Sequence, residues 1–415
     1  MYGSHVESYE SLVQHFSEVT DTIAIPFNVY LSRPQTESFV ELQKFFDTTY
    51  YYAVTSLKDN IESSLSDVQQ STSLKVVSLS GGRDNVIALK SDGTVWTWGH
   101  LMDWDGHSNS GLVFPVSPLD SVSPKAVPSL ASIMKITAGS SHFLALMSDG
   151  TLWAWGDNSE GQLGDGTTSS RTAPVKVSIA DVIDISASGT NTIALKRDGT
   201  VWVWGADASI DAIAGSASSP IKVSSLSNVV SVNASGNGAF VVKSDGTLWA
   251  WGFNANGRLG DGTNIDRTTP VQVVGLHNIV SFYDTGFTVY AVRADGSVYS
   301  WGYGAIGSVS DNSTVVSRYI PGLITGLSGV AKVSVASYPV FIKNDMSVWT
   351  FTSDGNSKFV QVASYNDAIM SISLDGANIV LKSSGSLSGW GDNNYSILGS
   401  QGSATYTNPT AISGI

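Results

Sequence analysis

The sequence predicts a seven-bladed β-propeller of four-stranded blades, preceded by a helical N-terminal segment. Three observations lead to this prediction. A unit of about 50 residues recurs seven times, which is the period of a repeat architecture. Each unit carries an Asp-Gly or similar turn signal between two β-prone runs. Each unit also supplies enough short strands for one propeller blade, since a blade needs four.

The repeated unit is clearest in five copies, which begin at residues 76, 133, 182, 229 and 279. The first copy reads VVSLSGGRDNVIALKSDGTVWTWG, and two more divergent copies begin at residues 330 and 369. The turn position is occupied in the seven copies by Asp92, Asp149, Asp198, Asp245, Asp295, Asp345 and Ser384. The copies therefore predict seven blades with one hairpin of the same kind in each.

The local physics of one unit predicts four strands. Asp-Gly between β-prone runs predicts a type I′ turn, in which both central residues have positive φ. The strand after the turn alternates, so Trp96 and Trp98 lie on one face. A short strand precedes the hairpin, and a loop followed by a Pro-led strand such as Pro174-Val175 comes after it. The paired tryptophans are predicted to pack in or between blades.

Closure of the ring is predicted to use the end of the chain. The segment at Pro409 is a Pro-led strand with no unit after it, and the first unit has no Pro-led strand before it. The C-terminal strand can therefore complete the first blade and remove an exposed edge. This predicts a propeller over residues 74–415 that is closed by its C-terminal strand.

Residues 1–73 contain no blade motif and are predicted to form a helical assembly segment. Ser38 and Glu41 match a capping box, and a helix of about 30 residues is expected from there to Val68. Its apolar residues follow a heptad-like spacing, which predicts an assembly seam. The seam residues are Tyr50, Val54, Leu57, Ile61 and Leu65. The partner of this seam is the chain's own propeller, another copy, or a larger body.

Composition excludes several classes of function. The 22 basic and 35 acidic residues give a net charge of −13, which argues against nucleic acid as a partner. The absence of cysteine excludes disulfides and thiolate metal sites. No apolar run reaches membrane-spanning length, and the polar, acidic start does not resemble a Sec signal peptide. Membrane insertion is therefore not expected, and the localisation is left unassigned.

The motifs also resemble a known family. The pattern A-x-G…A-L…D-G-T-[VL]-W-x-W-G, followed by N-x-x-G-[QR]-L-G-D-G-T and P-V-x-V, resembles the regulator of chromosome condensation repeat family. The resemblance covers residues 74–415 and implies a seven-bladed propeller. It also implies several functions, because that family includes exchange factors for small GTPases, chromatin binders and interaction scaffolds.

No constellation in the sequence predicts catalysis, a cofactor or a metal. The repeated aspartates are interpreted as turn residues, because each recurs with its turn. The segment 100–132 differs from its counterparts by its length and its four prolines, and insertions often carry function. It supplies the candidate partner-binding residues His100, Asp103, Trp104, Asp105 and His107. An exposed Trp104 beside carboxylates is suited to contact with a protein or with a surface glycan or receptor.

The leading functional hypothesis is a non-enzymatic, structural or adhesive protein-binding propeller within a larger assembly. A phage or virus particle is the expected setting, because the chain is Cys-free, Lys-poor and rich in Ser, Thr and Gly. The alternative, which follows from the resemblance, is an exchange factor or regulator of a small GTPase. A third hypothesis, an enzyme that uses the central channel, has no residues in its support.

Overall fold

The structure is a computed structural model, and it divides into two compact units, Met1–Lys75 and Val76–Ile415. In the first unit it describes the backbone of four strands within residues 37–72. In the second it describes residues 76–82, 85–99, 124–206, 216–236, 238–284, 288–303, 317–335, 339–351, 359–362, 365–374, 376–393, 396–399 and 405–412. Lys75 is described as well.

The first unit contains a small antiparallel sheet where the sequence predicted a long helix. Its strands are β1 (Glu37–Leu42), β2 (Thr49–Lys58), β3 (Ile61–Glu62) and β4 (Gln69–Thr72), and β2 pairs with the other three. The helix prediction is therefore wrong over these strands. The physical reason lies in the sequence TYYYAVTSLK of β2, which is rich in the aromatic and β-branched residues that favour strands.

The predicted assembly seam changes with that correction. Tyr50, Val54 and Leu57 belong to β2 and Ile61 to β3, while Leu65 lies outside the described residues. The seam depended on a spacing near 3.5 residues, whereas a strand repeats every two residues. The described helical structure is a 3₁₀ turn at Ala255–Gly257, and no described helix is long and apolar enough to cross a membrane.

The second unit is a ring of seven four-stranded antiparallel sheets, which confirms the predicted propeller. Blade 1 consists of β5 (Val76–Gly81), β6 (Asn85–Lys90), β7 (Val95–Gly99) and β8 (Lys125–Ala126). Blade 2 consists of β9 (Ile133–Ala138), β10 (His142–Met147), β11 (Leu152–Gly156) and β12 (Arg171–Lys176). Blade 3 consists of β13 (Val182–Ser188), β14 (Asn191–Lys196), β15 (Val201–Gly205) and β16 (Ala217–Lys222). Blade 4 consists of β17 (Val229–Ser235), β18 (Gly238–Lys243), β19 (Thr247–Gly252) and β20 (Arg267–His277).

The remaining three blades repeat the same order. Blade 5 consists of β21 (Ile279–Asp284), β22 (Thr288–Arg293), β23 (Val298–Tyr303) and β24 (Ser317–Leu323). Blade 6 consists of β25 (Val330–Val335), β26 (Pro339–Lys343), β27 (Val348–Phe351) and β28 (Phe359–Gln361). Blade 7 consists of β29 (Ala368–Ser373), β30 (Ala377–Lys382), β31 (Leu387–Asp392) and β32 (Thr405–Ile412).

Consecutive strands are neighbours in every blade, and the first strand of each blade lines the central channel. Because the strands are antiparallel, the connections alternate between two rims of the ring. We call the rim with the turns between second and third strands the hairpin rim. The opposite rim, where third and fourth strands are joined by longer segments, is the loop rim. The first strand of each blade starts at the hairpin rim.

Closure of the ring differs from the sequence prediction. The C-terminal strand β32 pairs with β31 and completes blade 7, while β8 completes blade 1. Blades 1 and 7 are joined by side chains and by single hydrogen bonds, not by a shared strand. Leu79 and Trp98 of blade 1 share one apolar cluster with Leu381 and Ile412 of blade 7. The strand that completes blade 1 is only two residues long and follows the long segment 100–123, which concealed it in the sequence.

The repeated hairpin turn also differs in type from the prediction. Gly93 has a φ of 80° and Gly150 a φ of 83°, whereas the aspartates before them are not at positive φ. The amide of Gly93 donates to the carbonyl oxygen of Lys90 at 3.0 Å, and the amide of Lys90 donates to the oxygen of Thr94 at 2.9 Å. This is a three-residue turn that ends in a glycine bulge. In blade 6, Met346 takes the glycine position with a φ of 63°.

Candidate functional site

The residues predicted to bind a partner cannot be placed within the fold. His100, Asp103, Trp104, Asp105 and His107 all lie outside the described residues, so this site stays a prediction. Within the described ranges, no group of three or more His, Asp and Glu side chains could hold a metal ion. The features that remain as candidate sites are the turns, the tryptophans, the channel and the two rims.

The repeated aspartates stabilise the turns in which they lie. Asp149 Oδ1 accepts a hydrogen bond from the Thr151 amide at 2.8 Å. Asp198 Oδ1 accepts from the Thr200 hydroxyl at 2.6 Å and from its amide at 3.0 Å. These bonds lower the pKa of both carboxyl groups, for Asp149 chiefly through the Thr151 amide and for Asp198 chiefly through the Thr200 hydroxyl. Each carboxylate belongs to its own blade, so the geometry supports turn residues and not an acid–base pair.

The two tryptophans of each motif have different environments. The second one is buried, as in Trp204 and Trp301. In blades 1, 3, 4 and 6 the first one is half-buried and is covered by a lysine, with the Lys90 ammonium 4.0 Å from the Trp96 ring centre and that of Lys343 4.0 Å from Trp349. One face of these half-buried rings is therefore occupied by a cation, which leaves less aromatic surface for a ligand.

Loops of the loop rim are organised around a buried asparagine. Asn158 Oδ1 accepts from the Leu163 amide at 2.9 Å, and its amide group donates to the carbonyl oxygens of Thr167 and Ser169. Asn254 makes the same set of bonds in blade 4. The recurring N-x-x-G-[QR]-L-G motif is thus a loop-folding signal. It fixes the loop backbone beside the next blade.

The central channel contains a polar cavity of about 450 Å³ that is lined by the first strands of the blades. Its hydroxyl groups connect neighbouring blades. The Ser80 hydroxyl accepts from the Ala138 amide at 3.0 Å, and Ser186 accepts from Ala234 at 3.0 Å. Several hydroxyl groups of the channel lining therefore link neighbouring blades, which supports a structural role for these hydroxyls.

The charged groups at the channel are paired. Lys135 contacts Asp184, and the buried Arg258 and Asp284 form an ion pair at 3.3 Å between blades 4 and 5. Burial raises the pKa of Tyr283 to about 12, so its hydroxyl stays protonated at neutral pH. None of these described groups combines a free base with a nucleophile, and the channel enzyme hypothesis gains no residues from the geometry.

A ring of exposed apolar side chains surrounds the channel mouth at the hairpin rim. We call it the collar, and it occupies the second position of the first strand in blades 1 to 5. Its members are Val77 (45% exposed), Met134 (54%), Ile183 (37%), Val230 (55%) and Val280 (60%). All five of these strands have a register shift at this position, as between Val229 and Ser231. The bulge leaves the collar residue out of the ladder and turned to solvent.

The collar was not predicted from the sequence, although its residues follow a pattern there. Each of the five strands begins with two consecutive apolar residues, as in Val229-Val230 and Ile279-Val280. The first residue of each pair is buried and the second is exposed. The bulge at this position turns the second residue to solvent, whereas consecutive apolar residues elsewhere, as in β6, are all buried.

The two rims differ in charge. The described acidic residues of the loop rim are Asp157, Glu160, Asp165, Asp261, Asp266, Asp284 and Asp392, against four arginines at 171, 258, 267 and 318. At the hairpin rim the described basic residues are Lys90, Lys135, Lys176, Lys196, Arg197, Lys222, Lys243, Arg293, Lys332, Lys343 and Lys382. Its described acidic residues are Asp92, Asp149, Asp181, Asp184, Asp198, Asp245, Asp295, Asp345 and Asp367. The described loop rim is thus net acidic and the hairpin rim net basic.

A sequence model of the RCC1-like domain matches residues 56–358, which is well over half of the 415 residues. The chain belongs to the RCC1-like domain family. This confirms the resemblance drawn from the repeated motif. The family assignment rests on the same blades whose strands and turns are described above.

Individual relatives match shorter stretches of this RCC1-like chain. The mouse regulator of chromosome condensation is 35% identical over 91 residues, which is 22% of this chain and 20% of the relative. The Arabidopsis thaliana ultraviolet-B receptor UVR8 is 34% identical over 106 residues, 25% of this chain and 22% of the receptor. Human E3 ubiquitin-protein ligase HERC2 is 35% identical over 111 residues, 26% of this chain and 2% of the ligase. The RCC1-like chain thus spans less than a quarter of each of these relatives.

Solved structures agree with the fold. Yeast RCC1 (Prp20), solved with Kap60 bound, has a TM-score of 0.66 at 16% identity and covers 82% of this RCC1-like chain and 85% of its own. Human WBSCR16 has a TM-score of 0.64 at 16% identity, with 71% and 84% covered. At these identities the likeness concerns the architecture.

Proposed function

We propose that this RCC1-like chain is a protein-binding propeller that acts without chemistry of its own and holds a basic protein segment on its loop rim. The observation that carries the proposal is the excess of carboxylates on that rim. Three of its four described arginines are already paired within the rim, Arg171 with Asp165, Arg267 with Asp261, and Arg258 with Asp284. These arginines cannot neutralise the other acids.

Four described carboxylates of the loop rim have hydrogen bonds but no ion pair with a described Lys or Arg. Glu160 accepts a hydrogen bond from the Ser216 hydroxyl at 2.5 Å, and Asp266 accepts one from the backbone amide of Asn254 at 2.7 Å. Asp157 and Asp392 likewise accept from hydroxyl groups. Complementary charge across an interface guides association and selects partners, so a basic segment fits this rim.

Proteins of the same architecture give the proposal a precedent. The yeast protein Prp20p was solved in work on its binding properties to Gsp1p and histones, and it covers 82% of this chain with a TM-score of 0.64 at 17% identity. Histones are basic proteins, and a basic partner is what the acidic loop rim of this chain fits.

Two finer forms of the proposal come from the sequence. A structural or adhesive component of a particle is supported by the composition, and a small-GTPase regulator is supported by the family resemblance. Native mass and nucleotide release distinguish them. A particle component copurifies in a large fixed assembly, whereas a GTPase regulator accelerates nucleotide release from a purified GTPase.

The rim proposal is tested by charge reversal on the full chain. The probe is a synthetic 20-residue Lys- and Ser-containing peptide, with Kd measured by titration at two salt concentrations. The triple variant Glu160→Lys, Asp266→Lys and Asp392→Lys is expected to weaken binding at least tenfold at low salt. The matched control reverses three exposed acids of the hairpin rim, Asp149, Asp198 and Asp245, with the same change in net charge. Equal losses in both variants would show that only total charge matters and would reject the loop rim as the site.

A further inference from the structure

The collar is an interaction surface that the loop-rim proposal does not use. Isolated exposed apolar residues on a protein surface need no explanation. Here the exposure repeats at one equivalent position in five consecutive blades, around a single channel mouth. In each strand the residue before the collar residue is buried and supplies the core packing at that point, as Val76 does beside Val77. The exposed collar residue is therefore not needed for that packing.

We propose that the collar is a docking surface for an apolar protein segment flanked by carboxylates. Five exposed apolar side chains around one mouth form an apolar ring, which we call the seat and which suits a loop or chain end that can reach several blades at once. Burial of such side chains is the main source of affinity at protein interfaces. The seat lies at the hairpin rim, and it is therefore separate from the acidic loop rim.

The charge of the hairpin rim selects the flanking residues of the partner. Eleven basic and nine acidic described residues lie at this rim. At the collar itself, Lys135 is paired with Asp184, whereas Lys332 of blade 6 donates to the carbonyl oxygen of Ile369 at 2.8 Å. Lys332 has no ion-pair partner among the described carboxylates. An incoming carboxylate would pair with it, whereas an incoming cation would meet an ammonium group.

Blades 6 and 7 limit the extent of the apolar contact. Their equivalent residues are Ala331 and Ile369, of which the first is small and the second half-buried. The collar therefore spans about five sevenths of the mouth, and Lys332 lies in the remaining arc. The apolar part of the segment is expected to contact blades 1 to 5 and its acidic part blade 6.

The test uses the full chain and a random peptide library displayed on phage. Enriched peptides are expected to combine apolar residues with Asp or Glu. Each collar side chain that is removed should lower the affinity of the enriched peptides about tenfold. The variant that removes two of them is Val230→Ser with Val280→Ser. The matched control, Val274→Ser and Ile320→Ser, changes residues that are 48% and 52% exposed on the outer strands β20 and β24. This control should retain binding within twofold.

A charge-reversal variant tests whether carboxylates of the partner segment contact Lys332. Lys332→Glu is expected to weaken the enriched acidic peptides at least fivefold at low salt, while Lys222→Glu on the outer strand of blade 3 should have less effect. Three outcomes overturn the proposal. These are enrichment of basic peptides or of none, equal losses in the collar and control variants, or a dimeric chain that becomes monomeric in the collar variant. The last result would make the collar an interface between copies of this chain.

Discussion

Trp301 Nε1 donates a hydrogen bond to the backbone carbonyl oxygen of Arg258 at 2.7 Å, across the boundary between blades 5 and 4. The same bond joins Trp204 to Gln162 at 2.9 Å and Trp98 to Ile397 at 2.8 Å. In these three blades the tryptophan therefore fills the core of its own blade and holds the loop of the preceding blade.

Trp301→Phe is expected to lower the free energy of unfolding by about 1 to 3 kcal/mol. The phenyl ring keeps most of the packing, but the buried Arg258 carbonyl oxygen loses its donor. The control is Trp349→Phe, whose half-buried indole donates to the Ser347 hydroxyl at 2.8 Å and which should cost less than half as much. Urea unfolding of both variants provides the comparison. Equal losses would mean that packing, not the hydrogen bond, dominates at Trp301.

The glycine of the hairpin turn should be intolerant of a side chain. Gly150 has a φ of 83°, and an added Cβ would lie 3.2 Å from the Asp181 Cα and the Val182 carbonyl oxygen. Gly150→Ala is expected to cost about 1 to 2 kcal/mol, because both the conformation and the contact are unfavourable.

The reverse change should help at the equivalent position of blade 6. Met346 adopts a φ of 63°, which a glycine adopts without strain. Met346→Gly is expected to stabilise the propeller by up to about 1 kcal/mol, reduced by the larger entropy of the unfolded chain. Thermal unfolding should show a higher midpoint for this variant. A lower midpoint would mean that contacts of the Met346 side chain outweigh the backbone strain.

The buried pair Arg258–Asp284 should be costly to break from one side. Both side chains are almost fully buried, so Asp284→Ala leaves a buried guanidinium without its carboxylate. We expect a loss of about 3 to 5 kcal/mol. The double variant Arg258→Gln with Asp284→Ala should recover part of it, since the uncharged Gln162 occupies the same loop position in blade 2. Denaturant unfolding measures both. No recovery in the double variant would contradict the electrostatic explanation.

His142 should make stability depend on pH between about 4 and 6.5. Burial lowers the pKa of His142 from 6.5 to about 4, so the folded chain keeps it neutral where the unfolded chain protonates it. Stability is therefore lost as pH falls from about 6.5 to about 4, by roughly 3 kcal/mol, and not further below. The turn aspartates have lowered pKa values, and their contribution is lost only at lower pH.

Asparagine is the matched replacement for His142, because Asn85 and Asn191 start the equivalent strands of the neighbouring blades. Asn85 donates to the Ser140 carbonyl oxygen at 2.7 Å, and Asn191 to that of Gly236 at 2.9 Å. Unfolding of the wild type and of His142→Asn at pH 7, 6, 5 and 4.5 should show a flatter profile in the variant. Parallel profiles would assign the pH dependence to other groups.

The parts of the fold that sequence predicted well depend on local signals. The seven blades were predictable because each carries its own turn at Asp92, Asp149 and their equivalents, followed by an alternating strand. Turn chemistry and period-two alternation act over a few residues, so they can be recognised in a single sequence. The turn type was predicted incorrectly, because Asp-Gly is compatible both with a two-residue turn and with the observed glycine bulge.

The parts that were predicted incorrectly depend on pairing or on competing patterns. The Pro-led segment at Pro409 was predicted to complete blade 1, but the two-residue strand β8 pairs with β7, and such a short strand has no local signal of its own. In β2, a heptad-like spacing coexisted with a run of tyrosines, and the β preference of Tyr50 to Tyr52 prevailed. The collar depended on bulges in the first strands, which are set by the geometry of the ring and have no strong signal of their own.

The backbone of the ring is interrupted at one place, the junction between blades 7 and 1. The other six junctions are crossed by the polypeptide itself, whereas this one is held by the cluster around Leu79 and Leu381 and by bonds such as that from Trp98 to Ile397. Because no connecting segment of the chain crosses this junction, the ring can open here without stretching the backbone. Amide protons of β5 and β29 should then exchange with solvent sooner than those of β13 and β17, and the gap would admit a segment from the side.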